Sequence, residues 1–389
     1  MRHAFAIGAA AIAWAVVAAC SSSGEENNGQ QSGPSHASDA APHDDASLDG
    51  EAPVDAGGTT DAAEAGSEEP CDAGMDCPLG CRAGRCLVLT PSNLPPDICD
   101  TPGTKDFTGG ELPSEPDARI HQVNGPDIFL YKFGNVSGDI RASGNVAIVA
   151  TQSMRLGSVP SDGYYHFDPA HPGSGKQVAW ACGGGGGGHG TPGGPHQTPQ
   201  GAYTAEAYGS ETGIPLLPGA EGATTVDVER TFSTPGGLGG RALQLVSCGT
   251  LTITGNVSAD GFAPYQGGSG RTAGAGGGSG GTLLIEAASV SVASSGSVTS
   301  NGGAGIGGWS GVPGAGGTRT SPPGSSTCGT GELMLDAGFP GLYDLGSGAG
   351  GAVGRIRINV RAGTQPELLG NVSPVPSMGT VATHYNGSP

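Results

Sequence analysis

Aromatic residues are scarce in this chain. Only 5% of its 389 residues are Phe, Trp or Tyr, and 13% are charged. That scarcity excludes a large aromatic core and a helical protein laced with ion pairs. Positive charge is the rarest commodity: 16 Lys and Arg stand against 35 Asp and Glu, a formal net charge of −19. Nucleic-acid binding needs cations to neutralise phosphates, and no basic stripe stands out, so no nucleic-acid partner is expected. The acid excess also resists non-specific adhesion to anionic surfaces. What the chain has in plenty is glycine, 76 residues, and proline, 30, together more than a quarter of the sequence. Such a composition lies at the edge of the low-complexity range.

The N-terminus reads as a processing segment. Met1-Arg2-His3 gives a positive end, and Ala4 to Ala19 is an apolar run too short for a comfortable span. The run ends in Val17-Ala18-Ala19-Cys20, followed at once by a polar stretch. Small residues before a cysteine, directly after an apolar region, resemble the bacterial lipoprotein box. The resemblance implies a signal peptide over 1–19, cleavage before Cys20, and lipidation of Cys20 on its thiol and new amino terminus. Acyl chains would then hold the protein at a membrane rather than through it. Ser21 after the cysteine implies, by the same resemblance, outer-membrane sorting. An ordinary secretory signal with a chance cysteine is the other reading.

Eight cysteines remain: Cys71, Cys77, Cys81, Cys86, Cys99, Cys182, Cys248 and Cys328. An even number in an exported, oxidising setting makes all eight disulfide candidates, with connectivity left open. Residues 20–70 carry twelve acidic residues, no Lys or Arg, and no apolar period, which marks a disordered acidic linker. Residues 71–100 read as a disulfide-rich mini-module. Its cysteines are spaced C-x5-C-x3-C-x4-C in PCDAGMDCPLGCRAGRC, without the paired knuckles of a zinc site. The D-C-P…G-C…G-x-C pattern is similar to small EGF-like or Dickkopf-type modules, which implies a spacer or minor contact site.

From 105 to 375 two textures alternate, followed by an expected flexible tail over 376–389. One texture is a short β-branched run of period two. ALQLVSCGTLTITGNVSADG (242–261) and TLLIEAASVSVASSGSVTSNGG (282–303) align so that Leu245 matches Ile285, Leu251 Val290, Ile253 Val292 and Val257 Val298. The tetrapeptide GNVS occurs at 134–137, 255–258 and 370–373. These are degenerate repeats of a strand–turn unit. They predict an all-β fold, a right-handed parallel β-helix-like solenoid in which each coil lays short strands on the last. Hairpin meanders are the alternative, since Asp260-Gly261 and Asn301-Gly302 are hairpin signals.

The second texture is glycine tracts. Gly302, Gly305, Gly308, Gly311, Gly314 and Gly317 recur at every third place, as do Gly184, Gly187, Gly190 and Gly193, and Gly348, Gly351 and Gly354. Three residues per turn is the period of an extended polyproline-type helix, so one face carries no side chains. The insertions are therefore read as polyglycine II-like, either packed on the coil or left as solvated loops.

The block GSGGTLLIEAASVSVASSGSVTSNGG and the closing GGAVGRIRINV resemble the glycine-rich surface proteins of myxobacteria, PE-PGRS-like by composition only. The resemblance implies a cell-envelope protein, and no activity. Function is therefore expected to be structural or adhesive at the cell surface, without catalysis and with no cofactor. Its partners would be the membrane, through the lipid anchor, and an extracellular polysaccharide or a cell-surface protein. Two alternatives stand beside it, a carbohydrate-active lyase or hydrolase and a partner-binding module. An enzyme of the first kind needs paired carboxylates, or a calcium cluster with a basic Arg or Lys, on one face of the coil. Over 240–330 the acids are only Asp260 and Glu286, with Arg241, Arg271 and Arg319 as bases. Asp260 closes a turn and Glu286 alternates outward, and Asp336 and Asp344 lie in a separate loop. His166, His171, His189 and His196 sit in Gly/Pro-rich stretches and read as exposed polar residues, with no metal set completed. Trp309, Tyr265 and Phe262 are the candidate ligand contacts, since aromatics in plain loops stack on sugars or partners.

Overall fold

A computed structural model describes residues 77–82, 85–161, 173–176, 182–198, 201–226, 233–265, 272–307, 314–327 and 345–385. The expected signal peptide, Cys20, the acidic linker, Cys71, Trp309 and Cys328 lie outside the described residues, as do His166, His171, Arg271, Asp336 and Asp344.

Among the described residues every regular element is a strand and none is a helix. In chain order they begin with β1 (Cys81–Arg82), β2 (Arg85–Thr90), β3 (Gly110–Glu111), β4 (Ala118–Ile120), β5 (Ile128–Phe133) and β6 (Val136–Gly138). Next come β7 (Ile140–Arg141), β8 (Val146–Ala150), β9 (Met154–Leu156), β10 (His196–Thr198), β11 (Gly201–Tyr203) and β12 (Thr225–Val226). Then follow β13 (Ser233–Thr234), β14 (Ala242–Ile253), β15 (Asn256–Ser258), β16 (Thr282–Val292) and β17 (Ser297–Thr299). The series closes with β18 (Arg355–Val360), β19 (Glu367–Leu368), β20 (Asn371–Ser373), β21 (Ser377–Thr380) and β22 (Ala382–Tyr385).

The main sheet runs β21-β18-β16-β14-β8-β5-β4 and does not close into a barrel. From β5 to β21 its neighbours are parallel and appear in chain order, and only β4 pairs antiparallel. Register places like on like. Tyr131, Ile148, Leu245, Ile285, Ile358 and Met378 form one column across six strands. Past a bend, Val136, Met154, Leu251 and Val290 form a second. A separate parallel sheet, β15-β17-β20, aligns Val257, Val298 and Val372. The four repeat equivalences read from the sequence are the observed strand partners. The GNVS copies at 255 and 370 share this last column, whereas the copy at 134 enters β6, before the bend's next facet.

Those columns build one apolar interior, which includes Leu243, Leu245, Ile253, Leu283, Ile285, Val292 and Ile358. Each such side chain taken out of water contributes about 1.5–3 kcal/mol. The opposite face of the main sheet is buried as well. Val246, Leu284 and Ala147 pack there with Leu79, Leu89, Leu216 and Val381. Two-sided burial is the normal state of parallel strands.

The segment with the clustered cysteines is part of this second layer. β1 and β2 pair with each other, and β2 pairs antiparallel with β22. Residues expected as a flexible tail thus supply β21 to the main sheet and β22 to the stapled segment. Disulfides join Cys77 to Cys86 and Cys99 to Cys248, while Cys81 and Cys182 are also disulfide-bonded.

The glycine tracts are ordered by hydrogen bonds with a period of three. Gly274, Gly277 and Gly280 donate their N–H groups to Gly346, Ala349 and Ala352. Gly276 and Ser279 donate to Ala223 and Ala220, and Gly278 and Gly281 to Phe262 and Ala259. One tract therefore bonds three neighbours around its axis, where a strand bonds two in a plane. Gly348, Gly351 and Gly354 all donate to one neighbour, at Ile306, Gly303 and Ser300, whereas Gly184 and Gly187 donate to Gly274 and Gly277 but Gly190 and Gly193 to Val353 and Ala205. Close approach explains the residue choice. A Cβ on Gly277 would run into the Gly303 carbonyl oxygen, and one on Gly186 into that of Gly350.

Candidate functional site

The long strands bend at equivalent places, and the bends stack. In β14 the bend carries an irregularity between Ser247 and Thr250, where pairing with β16 shifts by one residue. An extra residue of this kind bends a strand and strengthens its twist. Gly249 sits there because a Cβ would meet the Gln152 carbonyl oxygen. Neighbouring bends bring Asn135, Gln152 and Ser153, Ala288 and Ser289, and Arg361 and Thr364 to the same side.

A groove of about 740 Å³ runs over these bends. Its far wall is the stapled segment, through Pro78, Leu87, Val88 and the disulfide sulfurs' residues Cys86 and Cys99. Small buried residues, Gly249 and Ala288, make the floor. Among the described lining residues Arg361 alone is charged, and Asn135 Nδ2 also donates to Asp106 Oδ1 at 3.2 Å just behind the wall. Ser153 Oγ donates to Asn135 Oδ1 at 2.8 Å, and Asn135 Nδ2 donates to Gln152 Oε1 at 3.1 Å. Thr250 and Ser289 are exposed on the same wall. No Asp or Glu is among the groove's described lining residues, so the paired-carboxylate chemistry of glycoside cleavage has no counterpart in it.

Beneath the stapled segment lies a buried carboxylate. Glu286 was expected to face solvent, but it is 1% exposed. It accepts from the Ser92 amide at 3.0 Å, Ser92 Oγ at 2.8 Å, Gln244 Nε2 at 2.7 Å and Asn359 Nδ2 at 3.1 Å. Four neutral donors satisfy a carboxylate that alternation would have pointed to water. The reason is the second apolar layer: both faces of β16 are covered, so outward means buried. Chemically this is a docking post for the 85–99 segment, and it lies apart from the groove lining.

The histidines differ from expectation too. His189 and His196 are buried, not exposed. His189 Nδ1 donates to the Gly280 carbonyl at 2.9 Å, and its ring lies 4.6 Å from that of Tyr208. His196 Nδ1 bonds the Gly183 carbonyl, and burial holds its pKa below the ordinary histidine value despite that bond. Both imidazoles fill gaps between glycine tracts. Arg241 is buried as well, and its guanidinium donates to the carbonyls of Ala142 and Val159 at 2.6 and 3.2 Å.

Asp260 keeps its turn role and gains another. Its carboxylate accepts from Ser258 Oγ, Thr299 Oγ1 at 2.8 Å and the Asn301 amide at 2.6 Å, and Ser373 Oγ then donates to Asn301 Oδ1 at 2.6 Å. The two hairpin signals thus form a polar ladder between parallel repeats. Of the candidate aromatic contacts, Tyr265 is 87% exposed, while Phe262 is half-buried with its backbone bonded to Leu238 and Gly278. Neither lines the groove. Cys77, Cys81 and Cys86 bring their sulfurs within 4.8 Å of one another, but all three are disulfide-bonded and hold no thiolate for a metal.

No protein family, curated protein or solved structure matches this chain.

Proposed function

We propose that this chain is a non-catalytic cell-envelope lipoprotein whose folded body has a structural or adhesive role. In this reading Cys20 carries the acyl anchor at the outer membrane, and residues 20–70 tether the body above it. The body is a right-handed parallel β-helical solenoid with polyglycine II-like insertions. Parallel register in chain order from β5 to β21 is the observation that supports it most. A chain that circles and returns to the same face one layer further on produces that order, and right-handed return is the rule for parallel connections. Three-way glycine bonding fits insertions built as extended threefold helices. Disulfides at Cys77–Cys86 and Cys99–Cys248 suit an exported protein.

The test has two arms. Radiolabelled palmitate should enter the wild-type chain in cells and fail to enter Cys20→Ser. Limited proteolysis of the released chain should leave a resistant fragment starting after the linker, near residue 71. An unlabelled wild type removes the anchor, and rapid digestion throughout removes the scaffold.

A further inference from the structure

We propose that the groove over the stacked bends binds an extended, uncharged polysaccharide. The proposal deepens the adhesive reading above and rests on it for placement at the cell surface, while its chemistry comes from the groove alone.

The wall presents hydroxyl and amide groups in a row. Asn135, Ser153, Thr250 and Ser289 belong to successive rounds of the chain, one residue before the aligned Val136, Met154, Leu251 and Val290, and each lines the same trough. Parallel strands lie about 4.8 Å apart, so these groups recur at about the length of one pyranose unit in an extended chain. Four rounds offer three such intervals, enough for a short run of sugars to meet hydroxyl and amide groups at a regular spacing. The floor of Gly249 and Ala288 leaves room for a ring, and Leu87 and Val88 opposite give it an apolar face.

Other ligand classes fit less well. An extended peptide gains affinity by adding to an open strand edge. Here β14 already pairs with β8 and β9 on one side and β16 on the other, so its backbone groups are taken. A polyanion meets a chain of net charge −19 and one lining cation, Arg361. Nucleic acid fails for the same reason. A neutral polyol needs neither an edge nor a charge.

Affinity electrophoresis of the full mature chain supplies the test, in native gels containing hydroxyethyl cellulose, polygalacturonate or no polymer. Hydroxyethyl cellulose should retard the wild type. Ser289→Ile, which removes a hydroxyl and narrows the trough at an exposed strand position, should weaken retardation at least tenfold. Gln152→Ala, at an exposed bend, should weaken it several-fold with an unchanged circular dichroism spectrum. Unretarded wild type in hydroxyethyl cellulose overturns the proposal while leaving palmitate labelling and protease resistance to judge the scaffold reading separately. Equal retardation of wild type and both variants places binding elsewhere and also overturns it, as does retardation by polygalacturonate alone.

Discussion

Replacing Glu286 with alanine should unlatch the stapled segment. The carboxylate is the shared acceptor for the Ser92 amide and hydroxyl, Gln244 Nε2 and Asn359 Nδ2. Gln244 and Asn359 are themselves buried, so water does not readily replace the lost oxygen atoms. A buried donor left without its acceptor costs about 1–3 kcal/mol. Ser92 Oγ is half-buried and can turn to solvent, and Gln244 Nε2 keeps the Ser92 carbonyl. Counting the Ser92 amide and Asn359 over the full range and Gln244 at the low end gives about 3–7 kcal/mol. Cys99–Cys248 and the β2–β22 pairing still hold the segment, so the loss should appear locally first. Native-state hydrogen exchange reads this directly. The Ser92 and Leu89 amides should exchange over a hundredfold faster in Glu286→Ala, while Val290 in the first interior changes far less. Glu286→Gln should fall between, because it keeps one acceptor but sets an NH2 against a donor. A change below about 1 kcal/mol at Ser92 would refute the argument that this carboxylate docks the segment.

Three further outcomes follow from the same structure. Gly277→Ala should lower stability by about 1–3 kcal/mol in urea titrations, because its Cβ meets the Gly303 carbonyl; an unchanged midpoint would contradict close tract packing. The Cys99→Ser, Cys248→Ser double variant opens a loop with a sequence separation of 149 and should lose about 4–5 kcal/mol by chain entropy, read as a lower non-reducing unfolding midpoint. His196, depressed by burial, makes the unfolded chain bind the extra proton first, so stability should fall as pH drops below about 6.5. The drop between pH 7.5 and 5 should shrink in His196→Gln, and an identical drop would exclude His196 as its source.

The repeat skeleton was legible from the sequence because aliphatic residues recur at matched places. Leu245 with Ile285 and Val257 with Val298 are partners in the strands as they are in the alignment. Period three in glycine was readable in part: the bonding of Gly348, Gly351 and Gly354 follows it, and that of Gly190 and Gly193 does not. Glu286 was not readable, because a strand covered on both faces breaks the link between alternation and exposure. The buried histidines hid for a different reason: glycine has no hydropathy pattern, so nothing nearby distinguishes His189 inside a bundle from a histidine on a loop. β22 pairs with β2 across nearly the whole chain, and no local signal in Ala382–Tyr385 marks that distance. The groove also escaped notice, since it is made by bends that only register brings together. A hint existed in the polar residues at each repeat's midpoint, Gln152, Thr250 and Ser289.

Three-way bonding gives the glycine tracts something like a reading frame. Removing one residue from 274–281 would rotate every later N–H by a third of a turn, sending bonds meant for 346–352 toward 220–223 or 259–262. Removing three would shorten the tract and leave each direction intact. Length variation in these tracts should therefore be tolerated in triplets, a codon-like grammar imposed by geometry on the protein itself.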